Sequence, residues 1–219
     1  MARHRNDLTA PREHSPDLPA VLEDHSGLRA RDDLEAVRIE LDDGDVEAPH
    51  SRIAESRIHA ASLARFDLTG AALTDVAVDG LSAVEVVARD GRWRNVVVSG
   101  GRIGTLDAFR AEWDGVTLRG LRIDYLALAS AEVSDVLIVD CTIGTLDVPA
   151  ATLTRVRFED SRADELDTRG LRAKDLDLRG LEVVSFTDVR SLTGATLEER
   201  QAELHAVAFA QALGIRVQD

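Results

Sequence analysis

An all-β solenoid is the fold this chain predicts: a parallel β-helix closed at its C-terminal end by a capping α-helix. Apolar residues recur in two interleaved series with a period of five, and like residues recur again at twenty. The positions between the two series are rich in glycine, asparagine and aspartate. A period of five suits neither a straight strand nor a helix, but it does suit a chain that extends briefly, turns a corner and repeats.

The chain begins with segments outside this rhythm. Residues 1–33 hold Pro11, Pro16 and Pro19 among dense charge, too little apolar surface to order itself, so the expectation is a poorly structured or loosely wrapped segment. Its start has no apolar stretch of the secretory kind, which makes the cytoplasm the expected address. In residues 34–50, Val37, Ile39 and Leu41 alternate as in a strand, expected to pair onto the first coil as a lid. The turn Asp42–Asp45 lacks the later ligands of a calcium loop.

Residues 51–190 carry the repeat. One series runs Ala61, Phe66, Ala71, Val76 and onward to Phe186; the other runs Leu63, Leu68, Leu73 and onward to Val183. None of these positions is charged, although 30% of the chain is. Side chains two apart on an extended segment point the same way, so both series face inward. The following residue must turn, and Gly70, Gly80, Asn95, Gly100, Gly115, Gly120, Gly170 and Gly180 supply types that accept a positive φ. Every twentieth residue reads Val76, Val96, Val116, Val136, Val156, Leu176, and a second ladder reads Phe66, Val86, Leu106, Leu126, Leu146, Leu166, Phe186. Four pentapeptides per turn therefore make seven coils, a rod about 30 Å long at ~4.8 Å per coil. Trp93 and Trp113 fall in the inward series beside Gly91 and Ala111, whose small volume makes room for an indole. Cys141 is also inward, as a small core residue.

The spacing in Ala61-Ser62-Leu63-Ala64-Arg65, Ala71-Ala72-Leu73-Thr74-Asp75 and Val156-Arg157-Phe158-Glu159-Asp160 resembles the pentapeptide-repeat family over residues 51–190. The resemblance implies a right-handed, quadrilateral β-helix. It also implies a functional alternative, since some quinolone-resistance members of that family are acidic rods that imitate duplex DNA and occupy a type II topoisomerase such as gyrase.

Residues 191–219 close the rod. Thr196 and Glu199 have the spacing of a capping box, and Gly214 that of a helix stop, so a helix is expected up to Leu213. Its second half is more apolar than one lid face requires. Leu204, Val207, Phe209 and Leu213 are therefore candidates for both the lid and a homodimer contact.

Functional signals are sparse. His4, His14, His25, His50, His59 and His205 show no metal spacing, and Gly100–Gly104 lacks the order of a phosphate loop. No catalytic, cofactor or metal residue is assigned. No apolar run is long enough to span a membrane. A net charge of −14 argues against direct nucleic-acid binding. The candidate interaction surface is the partial acidic ladder Asp67, Asp107, Asp147 and Asp167, with Phe109 and Tyr125 beside it. Arg102, Arg122 and Arg162 align on a neighbouring side, which a phosphate imitator would avoid. Outward apolar residues form two weaker groups: Val97, Leu137 and Val139, then Val84, Val87 and Ala127 near Phe109 and Tyr125. The expectation is a non-enzymatic rod that meets an unidentified protein partner or a second copy of itself.

Overall fold

The computed structural model describes residues 8–12, 14–60 and 62–218, so His4 and the first position of the apolar series, Ala61, lie outside it. Four short strands lead in: Glu23–Ser26, Asp33–Glu35, Val37–Leu41 and Gly44–Glu47. The rod continues through Arg52–Ala60, Ser62–Asp67 and three strands of 16 residues, Ala72–Val87, Arg92–Asp107 and Glu112–Ala127. It ends through Glu132–Val139, Thr142–Asp147, Thr152–Glu159, Ser161–Asp167, Arg172–Asp177 and Leu181–Phe186. Every strand pairing among the described residues is parallel, and the chain makes an all-parallel β-solenoid of about eight turns with a short C-terminal helix.

From Arg52 to Leu166 the paired residues are twenty apart, as in Arg52↔Ala72 and Leu106↔Leu126, and only the last pairing, Leu176↔Ala195, shortens to nineteen. The predicted ladder Phe66, Val86, Leu106, Leu126, Leu146, Leu166, Phe186 is present rung for rung. All described positions of the two apolar series are buried except Gly101, which is exposed, and Ala173 and Phe186, which are half-buried. The two hydroxyl residues of the series, Ser161 and Thr168, are satisfied, whereas the buried indole N–H groups of Trp93 and Trp113 find no partner among the described residues. The Ser161 hydroxyl accepts from Cys141 N at 3.0 Å and donates to Glu159 O at 2.8 Å. Thr168 donates to the Asp188 carbonyl. Trp93 and Trp113 are both inward and stack with ring centroids 5.1 Å apart and planes 11° from parallel.

Three of the four corners turn through the left-handed region. One corner includes Gly70, Asp90, Arg110 and Ser130; the next Asp75, Asn95, Gly115 and Asp135; the third Gly80, Gly100, Gly120 and Asp140, all with positive φ. The fourth corner, at Glu85, Thr105, Tyr125, Thr145 and Glu165, has no such residue and carries bulky side chains instead. Arg110 and Ala150 occupy left-handed positions despite their Cβ, a strain of roughly 1 kcal/mol each. Hydrogen bonds to the next coil hold them there: Arg110 N donates to Ala129 O at 3.1 Å and Ala150 N to Arg169 O at 2.8 Å. Gly180 departs from its expected role. Its φ is not left-handed; it is small because a Cβ would meet Phe158 O at 2.2 Å.

Residues 33–47 do more than pair a single strand. Asp33–Glu35, Val37–Leu41 and Gly44–Glu47 each lie parallel on the coil that follows, with Ile39 and Val46 buried in the core. Their offset is nineteen residues, as in Asp33↔Arg52, until a register shift between Gly44 and Asp45 restores twenty at Asp45↔Arg65. Ahead of them, within the segment expected to be irregular, Glu23–Ser26 pairs with Val37–Glu40. The described residues between 8 and 22 form neither helix nor strand, and Thr9, Arg12 and Asp17 touch the rod.

At the other end the expected capping box is displaced. Thr196 belongs to a two-residue strand paired with Asp177, and Glu198 serves instead as the N-cap of a helix starting at Glu199, with Gln201 as its box partner. Glu199–Leu204 and Ala206–Ala212 form two short helices that meet at His205, and Gly214 follows with a φ of 80°. Gln201, His205 and Phe209, at helical spacing, face the last coil. Gln201 Nε2 donates to the carbonyls of Leu178 at 2.8 Å and Leu181 at 2.7 Å, and His205 Nε2 lies 3.1 Å from Val183 O. These contacts satisfy carbonyls that a further coil would otherwise pair.

Candidate interaction surfaces

The acidic column forms as its spacing requires: Asp67 and Asp107 flank Val87, while Ala127, Asp147 and Asp167 continue it on successive coils. Its carboxylates serve the corner. Asp67 Oδ1 accepts from Thr69 N at 2.8 Å, Asp107 Oδ1 from Phe109 N at 3.1 Å, and Asp167 Oδ1 from Arg169 N at 3.1 Å, so each aspartate sets the turn two residues on. Each also holds an arginine: Arg65, Arg89 and Arg169 respectively. The Arg169 guanidinium keeps the Asp167 carboxyl below its usual range. Burial pushes Asp67 upward, but the bonds from Thr69 and Arg65 outweigh it and leave it low. Most of the column is therefore a neutralised structural ladder rather than a row of free anions.

Asp147 is different. It accepts from Tyr125 Oη at 2.8 Å, and Tyr125 itself is 38% exposed. Partial burial, the bond to Asp147 and the charges of Asp147, Asp167 and Asp107 push the phenol up to about 12. A folded-state pKa raised from 10.0 makes a stabilising contribution below pH 10 that disappears as pH rises through 12. Tyr125 is the single tyrosine of the chain, so phenolate absorbance reads it alone. Its midpoint should lie near pH 12 in the folded protein and near 10 after Asp147→Ala combined with unfolding. A folded-state midpoint of about 10 would remove the Tyr125–Asp147 bond.

Phe109 is half-buried under Arg110, whose guanidinium carbon sits 5.0 Å from the ring centre. Of the outward apolar groups, Val84 is exposed, but Val87, Ala127 and Val139 are buried, and Val97 and Leu137 half-buried. Val139 lies between the long side chains of Arg119 and Glu159 in the ladder, whereas Val87 and Ala127 lie between aspartates of the acidic column. The row Arg102, Arg122 and Arg162 forms, with Thr142 between its last two members, and each arginine pairs with Asp124 or Asp164. A shallow groove of about 450 Å³ beside Trp93 and Trp113 is bordered by Arg92, Arg94, Glu112 and Asp114, a mixture of signs with no convergent set.

On the terminal helices, Leu204, Val207 and Leu213 point to solvent, with Leu204 73% and Leu213 77% exposed, while Phe209 packs on the core. Ile215 and Val217, just beyond the second helix, are exposed as well.

Sequence reasoning gave no sign of one further cluster. Arg12 and Arg155 both hold Asp135, whose carboxylate is fully buried: Arg12 Nε is 2.9 Å and Arg155 Nε 2.7 Å from its oxygens. The Arg155 hydrogen bond outweighs burial and, with Arg12, keeps Asp135 far below the usual carboxylate range. Asp135 was legible only as a corner residue, and nothing in the leading segment points to a contact so distant.

No family model and no curated protein matches the chain. Among solved structures it is similar to two trypsin-treated variants of QnrB1, described as a plasmid-mediated fluoroquinolone resistance protein. One is 13% identical, covering 91% of this chain and 100% of that chain, with a TM-score of 0.32. The other is 15% identical, covering 90% and 100%, with a TM-score of 0.26. The coil of twenty-residue turns is itself an all-parallel β-solenoid, consistent with the pentapeptide-repeat family that the sequence resembles.

Proposed function

We propose that the protein is a cytoplasmic, non-enzymatic interaction rod that associates as a homodimer through its C-terminal helices. The observation that carries this reading is the apolar surface of Leu204, Val207, Leu213, Ile215 and Val217, left uncovered on a cap whose other face already seals the rod. Exposed apolar groups concentrated within one short stretch of chain mark a contact more strongly than scattered single residues do. A two-fold arrangement would set each patch against its own copy, leaving no open end for further growth. The walls of the rod support a scaffold rather than a catalyst, because their ionic groups are engaged with one another along the ladders. That same engagement disfavours imitation of a DNA duplex, which needs unpaired anions at regular intervals. No described helix is long and apolar enough to cross a membrane.

Light scattering tests the reading. The expected mass is twice 23.8 kDa, falling to 23.8 kDa when Leu204→Glu and Leu213→Glu are combined, with the circular dichroism unchanged. A wild-type mass of 23.8 kDa at micromolar concentration would contradict it.

A further inference from the structure

Thr9, Arg12 and Asp17 lie in order along one corner of the rod, the left-handed column that includes Asp75, Asn95, Gly115, Asp135, Arg155 and Asp175. Thr9 N donates to Asp175 Oδ1 at 3.3 Å, Arg12 N to Asp135 Oδ1 at 3.0 Å, and Asp17 N to Asp75 Oδ1 at 3.1 Å. The segment therefore runs against the direction in which the coils stack, and corner carboxylates take its backbone N–H groups. Among its described residues no backbone-to-backbone bond joins it to the rod. None of its described residues is buried, and among them Arg12 is the one whose side chain forms an ion pair with the rod.

The spacing explains the fit. A polyproline-type chain rises about 3.1 Å per residue, and coils repeat at ~4.8 Å, so three residues cover the same distance as two coils. Thr9 to Arg12 is one such step, from Asp175 to Asp135. Arg12 to Asp17, at roughly 15 Å, matches the three coils from Asp135 to Asp75, at roughly 14 Å. Pro11, Pro16 and Pro19 favour that extended conformation before docking, which lowers the entropy lost on binding.

We infer that this corner is a docking rail for an extended, proline-containing peptide bearing one arginine, and that residues 8–22 are its tethered occupant. A partner segment of the same chemistry displaces the strap: the carboxylates at Asp75 and Asp175 capture backbone N–H groups of any sequence, and Asp135 selects the arginine. This deepens the reading of the rod as an interaction module but does not depend on the helix contact.

The test uses the full chain carrying Arg12→Ala, which unlatches the strap, and a labelled synthetic peptide of residues 8–19. The peptide should bind the Arg12→Ala chain at least tenfold more tightly than the wild-type chain, where the tethered strap competes at an effective concentration on the order of millimolar. A peptide with alanine in place of its arginine should lose at least tenfold in affinity for the same chain. Failure of the native peptide to bind, or equal binding of the two peptides, would overturn the rail. Light scattering on the same sample separates the two proposals, because a doubled mass without peptide binding removes the rail alone, and peptide binding at single mass removes the dimer alone.

Discussion

Leu126→Asp should leave the chain without a cooperative unfolding transition. Leu126 is wholly buried, stacked between Leu106 and Leu146 in a ladder one residue wide. Truncating a buried leucine alone removes about 2–5 kcal/mol. A carboxylate there would also lack any partner, since the neighbouring rungs are apolar, adding several kcal/mol or forcing protonation. The sum rivals the roughly 5–15 kcal/mol that holds an ordinary domain together. In a coil stack the damage also spreads, because each turn is buried mainly by its two neighbours. The control is Asp147→Ala on the outer wall, which removes one exposed hydrogen bond to Tyr125 and should shift stability by less than about 0.5 kcal/mol. Equal effects in urea titrations of the two variants would refute the division between inner and outer positions.

The second large effect belongs to Gly101→Ala. Gly101 reads as exposed, yet a Cβ built on it would stand 2.1 Å from Leu81 O and 3.0 Å from Leu81 N, with a φ of 119°. The neighbouring coil's backbone cannot yield as a flexible side chain could, so the Leu81↔Gly101 and Gly101↔Leu121 rungs must open. The expected loss is about 3 kcal/mol or more. Gly100→Ala, one residue away, keeps a φ of 65° with open space around the Cβ and should lose only about 1 kcal/mol. A loss below 1 kcal/mol for Gly101→Ala would mean that the coils are not in contact there.

The rod was legible because its rule is local: a charge-free position every five residues, in two phases, survives any choice among Val, Leu, Ile, Phe and Trp. The same rule hid the leading coil. With an offset of nineteen and a shift at Gly44, residues 33–47 break the period, so Val37, Ile39 and Leu41 showed only as a strand. At the far end two capping patterns overlapped. Pairing of Thr196 with Asp177 removed the first, and Glu198 with Gln201 served instead. Burial of outward residues such as Val87 and Ala127 depends on side chains one coil above and below, which no single pentapeptide reveals. The strap illustrates the limit most clearly, since Arg12 and Asp135 are 123 residues apart and share no pattern.

The stacking is tested most directly by distances along one outer column. Arg52, Ala72, Arg92, Glu112, Glu132, Thr152 and Arg172 occupy successive coils. Spin labels at Arg52→Cys and Arg172→Cys, read by pulsed electron–electron resonance, should give a narrow distribution near ~29 Å, six coils at ~4.8 Å. Labels at Arg52→Cys and Thr152→Cys should be one coil closer, near ~24 Å. A broad distribution, or a separation that does not shorten by one coil when the second label moves back twenty residues, would contradict a solenoid with twenty residues per turn.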